Sequence, residues 1–285
     1  MDGFESVFFI DEKLGWIAGD NNLILRTTDG GELWNVTTVN ADGLYYQLQR
    51  ILFNDARRGW AVGHFGGILH SNDGGLTWTR RGNGTKTDFE AVFFVDDSTG
   101  WVVGKNSTIL KTENAGLSWS RVNAAIAGDI HLYAIYFADH QAGWITGSQG
   151  TILNTSDGGE TWTKQQSSLS HYHNLTCIYF IDATTGWIAA STSVLHTQDG
   201  GQTWHKQSLN IEDSSVESLF FVDENSGWAV GKRGTILKTD NGGDIWITES
   251  PPGHQDWWLR SVYLIDEFHG WTVGQMNMIL RKNSK

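Results

Sequence analysis

The sequence predicts an all-β chain folded as a seven-bladed β-propeller, and three observations carry that prediction. A Gly-Trp pair occurs seven times, at Gly15, Gly59, Gly100, Gly143, Gly186, Gly227 and Gly270, with spacings of 41 to 44 residues. Each interval has room for about four short antiparallel strands, which is one blade. The 285 residues contain 34 Gly but only 2 Pro, as many tight turns between uninterrupted strands require. One domain over residues 1–285 is expected, with repeats beginning near residues 4, 48, 89, 132, 175, 216 and 259.

The first strand of each repeat is an apolar run ending in Asp: Val7 to Asp11, Ile51 to Asp55, Val92 to Asp96, Ile135 to Asp139, Ile178 to Asp182, Leu219 to Asp223 and Val262 to Asp266. A continuous apolar run of that length implies cover on both faces, as for an inner strand between neighbouring blades. Two positions before the Asp stand Phe9, Phe53, Phe94, Phe137, Phe180, Phe221 and Leu264, a set suited to packing between blades. Five positions before it the residue is small, from Ser6 to Ser261, and Arg50 is the exception.

The second strand follows each Gly-Trp, and a short run such as Leu23 to Arg26 supplies the third. Then comes Ser/Thr-x-Asp-Gly-Gly-x-Thr-Trp or a near variant, at Thr27, Ser71, Thr112, Thr155, Thr197 and Thr239. Asn114 and Asn241 replace the Asp in two of the six copies, so the turn needs a side-chain oxygen for backbone N–H groups and not a charge. That weighs against catalysis or metal binding by these carboxylates. The last repeat ends at Lys285, where a seventh copy would begin, so the seventh blade is expected to have three strands and an exposed outer edge.

This turn is the Asp-box of the bacterial neuraminidase repeat. Together with Gly-Trp-x-x-Gly, which only Ala190 interrupts, it resembles the photosystem II stability and assembly factor family of seven-bladed propellers over essentially the whole chain. The resemblance implies a noncatalytic scaffold that assists assembly of a membrane complex from the periplasmic or lumenal side, or as a secreted protein. It also implies an arginine-rich patch for the client, to which Arg50, Arg260 and Lys232-Arg233 could contribute, while Glu5, Glu90 and Glu217 interrupt the same rim.

Composition narrows the partners. The net charge of −12 disfavours nucleic acid and anionic lipid, no apolar run is long enough to span a membrane, and the start shows no signal peptide. The lone Cys177 cannot make an intramolecular disulfide and reads as a small core residue. A monomer without cofactor or metal that binds a protein is expected. His171-x-His173 lacks a nameable third ligand, and the five Asn-x-Ser/Thr sequons arise readily among Asn-rich turns.

Thirteen of the 15 Trp belong to the repeats, which leaves Trp257 and Trp258. In a propeller, the loops between blades and the hairpins joining second to third strands share one face, opposite the Asp-boxes. The residue six before each Asp varies from Glu5 through Gln49, Glu90, Tyr133, Thr176 and Glu217 to Arg260, as an individually shaped rim would. Aromatics and Arg anchor recognition surfaces. The candidate partner-binding residues are therefore Tyr46, Arg50, His131, Tyr133, His173, Lys232, Arg233, Trp257, Trp258 and Arg260. No catalytic residue is assigned. The alternatives are a glycan-binding propeller, with Tyr46, Tyr172, Trp257 and Trp258 stacking on sugars, or an Asp-box glycoside hydrolase. A sialidase would need an Arg-Ile-Pro signature, and the only prolines are Pro251 and Pro252, after Ser250.

Overall fold

In the computed structural model the chain is a seven-bladed β-propeller. The structure describes residues 3–41, 43–124, 128–167, 169, 173–211, 213–250, 253 and 256–282. His171 and Tyr172 lie outside them. Blade 1 is built from Phe4–Phe9, Gly15–Gly19, Ile24–Thr27 and Asn35–Val36, in that order across the sheet. Blades 3 to 6 repeat this antiparallel order. Blade 2 carries a fifth strand, Thr38–Asn40, which pairs parallel to its outer strand Thr77–Arg80. Among the described residues the seventh sheet holds three strands, Leu259–Leu264, Gly270–Gly274 and Met278–Lys282, as the sequence predicts. No α-helix occurs among the described residues, and no helix is long and apolar enough to cross a membrane.

By its internal contacts the chain divides into two compact units, Met1–Arg121 with Tyr263–Lys285, and Val122–Val262. The same packing rule builds both. In the first, Phe53 stacks on Trp16 of the preceding blade at a centroid distance of 3.5 Å and meets the Asp-box Trp78 of its own blade edge-on at 5.6 Å. In the second, Phe180 lies on Trp144 at 3.7 Å and against Trp204 at 6.0 Å. Each such pair adds about 0.5–1.5 kcal/mol beyond its buried area. The Phe also explains the Gly of Gly-Trp, because a Cβ on Gly227 would come within 2.5 Å of the Phe221 ring. Blade 7 has no Asp-box Trp among its described residues, and Leu264 stands where the other blades have Phe.

The indole N–H groups of Trp16, Trp144, Trp187 and Trp271 each reach a carbonyl of the following blade. Trp16 Nε1 donates to the Gly74 carbonyl, and Trp187 Nε1 to that of Gly242. Trp271 Nε1 donates across 3.0 Å to the Gly30 carbonyl, joining the last blade to the first, where Phe9 also stacks on Trp271 at 3.5 Å. Within each Asp-box the Ser or Thr hydroxyl donates to the Asp or Asn side chain and accepts an amide N–H. Thr155 Oγ1 is 2.7 Å from Asp157 Oδ1 and accepts from Gly159 N at 2.9 Å. Asn114 Oδ1 accepts from Thr112 Oγ1 and Ser118 N in the same way, which is why the charge is dispensable. Cys177 is buried, with its thiol against the Leu219 carbonyl.

The variable column has a structural cause. The inner strands of blades 1, 2, 3, 4 and 6 slip register around Glu5, Gln49, Glu90, Tyr133 and Glu217, each the extra residue of a β-bulge. A bulge re-aims its side chain, so this position is freed from the repeating packing. It also explains the second Gly of the motif: a Cβ on Gly147 would sit 2.5 Å from the His131 carbonyl. Blade 5 begins its inner strand later, at Cys177, without a bulge, and there Ala190 replaces the Gly.

Candidate functional site

In the second unit, the hairpin after Gly231 turns through Arg233 and Gly234, both with positive φ (56° and 66°), and Thr235 N closes it by donating to the Lys232 carbonyl. Two left-handed residues in succession make the hairpin turn that matches strand twist, and they push Arg233 into solvent. The same hairpin anchors the approach to the last blade. Gly234 N donates to the Trp257 carbonyl at 2.9 Å, and Lys232 and Trp258 form an antiparallel bridge.

That pairing gathers four side chains. The Arg260 guanidinium carbon lies 3.5 Å from the Trp258 ring centroid, and Lys232 Nζ lies 4.6 Å from it. Lys232 also pairs with the bulge residue Glu217 at 3.7 Å, and Glu217 accepts a hydrogen bond from Ser215 Oγ. Trp257, Trp258 and Arg260 are half-buried, whereas Lys232 and Arg233 are exposed. Arg233 extends the cluster to a pocket of about 380 Å³, lined among others by Asn210, Asp213, Ser214, Thr235 and Ser250. The pocket hydroxyls are anchored: Ser214 Oγ donates to the Lys232 carbonyl and Ile236 N donates to Ser250 Oγ. Lys232, Arg233 and Arg260, with Glu217 and Asp213, make this a charged, aromatic spot.

The other expected residues are placed as follows. His131 and Tyr133 pack together in the same unit, ring centroids 4.3 Å apart, and both are half-buried. His173 is half-buried and its carbonyl accepts from Gly150 N. In the first unit Arg50 is half-buried on an inner strand. Tyr46 is 1% exposed, in the apolar core beside Gly67, and contributes no surface. Sequence reasoning places it on the rim because it is an aromatic residue in a loop just upstream of the variable column.

The first unit carries a related charged cluster. Lys105 Nζ lies 2.7 Å from Asp88 Oδ2, Phe65 N donates to Asp88 Oδ1, and His64 is 3.8 Å from the bulge residue Glu90. Burial works against ionisation of Asp88, yet its bonds from Lys105 and Phe65 and the neighbouring His64 hold it below the usual carboxylate range. A second column, three before the Asp and aromatic in every blade but the second (Leu52), forms half-buried rows: Tyr136–Tyr179 at 5.4 Å and Tyr179–Phe220 at 4.7 Å. Burial pushes the Tyr136 phenol up to about 12. Sequence reading missed this column because it directly precedes the Phe column. It also did not single out Asp213 and Ser214, whose only signal is their position in a loop outside the repeat.

Comparison with known proteins agrees with this architecture. The family model of the photosynthesis system II assembly factor YCF48 matches residues 3–87, 48–128, 124–214 and 204–285. The structure of YCF48 bound to a D1 peptide superposes with a TM-score of 0.82 at 20% identity, covering 100% of this chain and 94% of that one. YCF48 from Cyanidioschyzon merolae gives a TM-score of 0.78 at 20% identity, covering 99% and 95%. The GH74 xyloglucanase from Xanthomonas campestris gives 0.80 at 12% identity, covering 99% of this chain and 52% of that one. No curated protein matches in sequence. Because overlapping matches to that family model run from residue 3 to residue 285, the chain belongs to the YCF48 family of photosystem II assembly factors.

Proposed function

We propose that this chain is a noncatalytic protein-interaction scaffold that holds a segment of a protein partner on the loop face of its second unit, around Trp258. The observation that carries the proposal is the gathering of Lys232, Trp258 and Arg260 beside an open polar pocket. Aromatic rings with adjacent cations are the usual anchors of protein recognition. A relative of the same fold is seen with a D1 peptide, and the partner proposed here is likewise a subunit of a membrane complex of the photosystem kind. Hydrolysis of a glycoside would need two carboxylates flanking one bond, and among its described lining residues the pocket offers only Asp213. For a sugar-binding reading, the Arg260 guanidinium already covers part of the Trp258 ring that a sugar would stack on.

Affinity capture from membrane extracts tests the proposal. The native chain is compared with a folded Trp257→Ala, Trp258→Ala, Arg260→Ala variant. Retention of a membrane-complex subunit by the native chain and its loss in the variant are expected. Equal retention by both would refute the assignment of this face.

A further inference from the structure

The seam where the last blade meets the first holds a cluster of side chains from opposite ends of the chain. Glu12 stands in the turn after the first inner strand, and Asp266 and His269 stand in the matching turn of blade 7. Their donor atoms all lie within 4.8 Å of one another. We propose that Glu12, Asp266 and His269 form a binding site for a divalent transition-metal ion of the zinc class, which clips the seventh blade to the first.

The neighbouring blades show what this position demands. In blade 2 the residue three after the turn Asp is Arg58, which reaches its own Asp55 at 2.6 Å and Asp97 of the next blade at 2.7 Å. One permanent cation thus bridges two carboxylates. His269 occupies the place of Arg58, Asp266 that of Asp55, and Glu12 that of Asp97. The two carboxylates are retained at the seam, but the guanidinium is replaced by an imidazole, which is a good metal ligand when neutral. Elsewhere this position holds Leu14, Thr99, Ala142, Thr185 or Ser226, none of which binds metals well. Arg281, another cation at this seam, is held by Glu32.

The geometry suits such an ion. His269 Nδ1 lies 2.9 Å from Asp266 Oδ2, a hydrogen bond that a bound ion would replace, its two ligand atoms parting to about 3.4 Å around a tetrahedral ion. Asp266 Oδ1 accepts from the amides of Phe268 and His269, which fixes the carboxylate, and the imidazole Nδ1 lies 3.0 and 2.9 Å from its two oxygens. Outer hydrogen bonds of this kind orient ligands in metal sites. Glu12 is exposed, and its carboxylate can swing in as the third ligand, leaving a fourth position for water. The backbone beneath is held by Gly30 N donating to the Lys13 carbonyl and by Trp271 Nε1 on the Gly30 carbonyl. The sequence alone gives no hint of this site, because its ligands come together only when the last blade meets the first.

Isothermal titration of the chelator-treated full chain with Zn²⁺ tests the site, with Co²⁺ absorption reporting ligand geometry. The native chain is expected to bind one ion through this site and to unfold at a higher temperature with Zn²⁺ than with EDTA. His269→Ala and Glu12→Gln should weaken that binding by at least about tenfold. His269→Arg, which copies Arg58, should keep the metal-free stability and lose the response to Zn²⁺. Absence of Zn²⁺ binding by the native chain would overturn the proposal, as would unchanged binding in His269→Ala and Glu12→Gln, which would place the ion elsewhere.

Discussion

Arg260 lies flat enough on Trp258 to bring its guanidinium carbon 3.5 Å from the ring centroid, while Lys232 approaches the same ring at 4.6 Å. Neither cation belongs to the repeat. A cation on a partly exposed indole adds only about 0.5–1 kcal/mol to stability. Arg260→Ala should therefore lower the free energy of unfolding by no more than about 1 kcal/mol, as urea denaturation would show. A much larger loss would make the pair a structural clamp instead of a recognition surface.

The Phe column should behave in the opposite way. Phe53 is 3% exposed and sits between Trp16 and Trp78. Phe53→Ala is expected to cost about 3–5 kcal/mol. Phe53→Leu, the residue of blade 7 at this position, should cost clearly less because more of the volume is kept. Equal losses for the two variants in urea unfolding would contradict the sandwich account.

The Asp-boxes should register in acid. Hydrogen bonds from the Thr161 hydroxyl and amide, and from Thr155, hold Asp157 down at about 2 against a reference of 3.8, and Asp199 is held at about 2 in the same way. A carboxyl depressed in the folded state binds fewer protons there than when unfolded, so its contribution is present above pH 3.8 and is lost as pH falls toward 2. Asp157→Asn, the residue that blades 3 and 6 already use, should leave neutral stability nearly unchanged and flatten the acid limb over that window. An unchanged acid limb in the variant would contradict the assignment.

His70 should act over a higher window. Burial first, then the nearby Arg81 and Arg58, press its imidazole down to about 4, and Arg81 Nη2 lies 3.0 Å from its Nδ1. The unfolded chain takes up this proton near 6.5 and the folded chain only near 4, so stability falls as pH drops between those values and levels off below. His70→Asn, matching Asn154 at the same place in blade 4, should remove that part of the slope. A folded-state imidazole titrating near 6.5 by NMR would contradict it.

Much of this was legible in the sequence because the repeat states it seven times. The Gly-Trp pair and the Phe column report one packing event, and their spacing marks the blades. The three-stranded last blade was legible too, from the absence of a seventh Asp-box. Glu5, Glu90 and Glu217 stood out only as variable, and the reason, a β-bulge that slips the register, is a backbone feature without a residue signature of its own. Tyr46 shows the limit of reading loops by composition. It and Tyr45 are adjacent in the sequence, yet one is 1% and the other 73% exposed, and only the chain path decides between them. Lys232, Trp258 and Arg260 were each singled out, but their meeting on one ring depends on the bridge between Lys232 and Trp258.

The most direct test of the central claim is calorimetric titration of a D1-derived peptide into the native chain and into Trp258→Ala and Arg260→Ala variants of confirmed fold. Binding by the native chain is expected, with affinities at least about tenfold weaker in both variants, as loss of a central anchor produces. No binding by the native chain, or equal affinity in all three proteins, would contradict it.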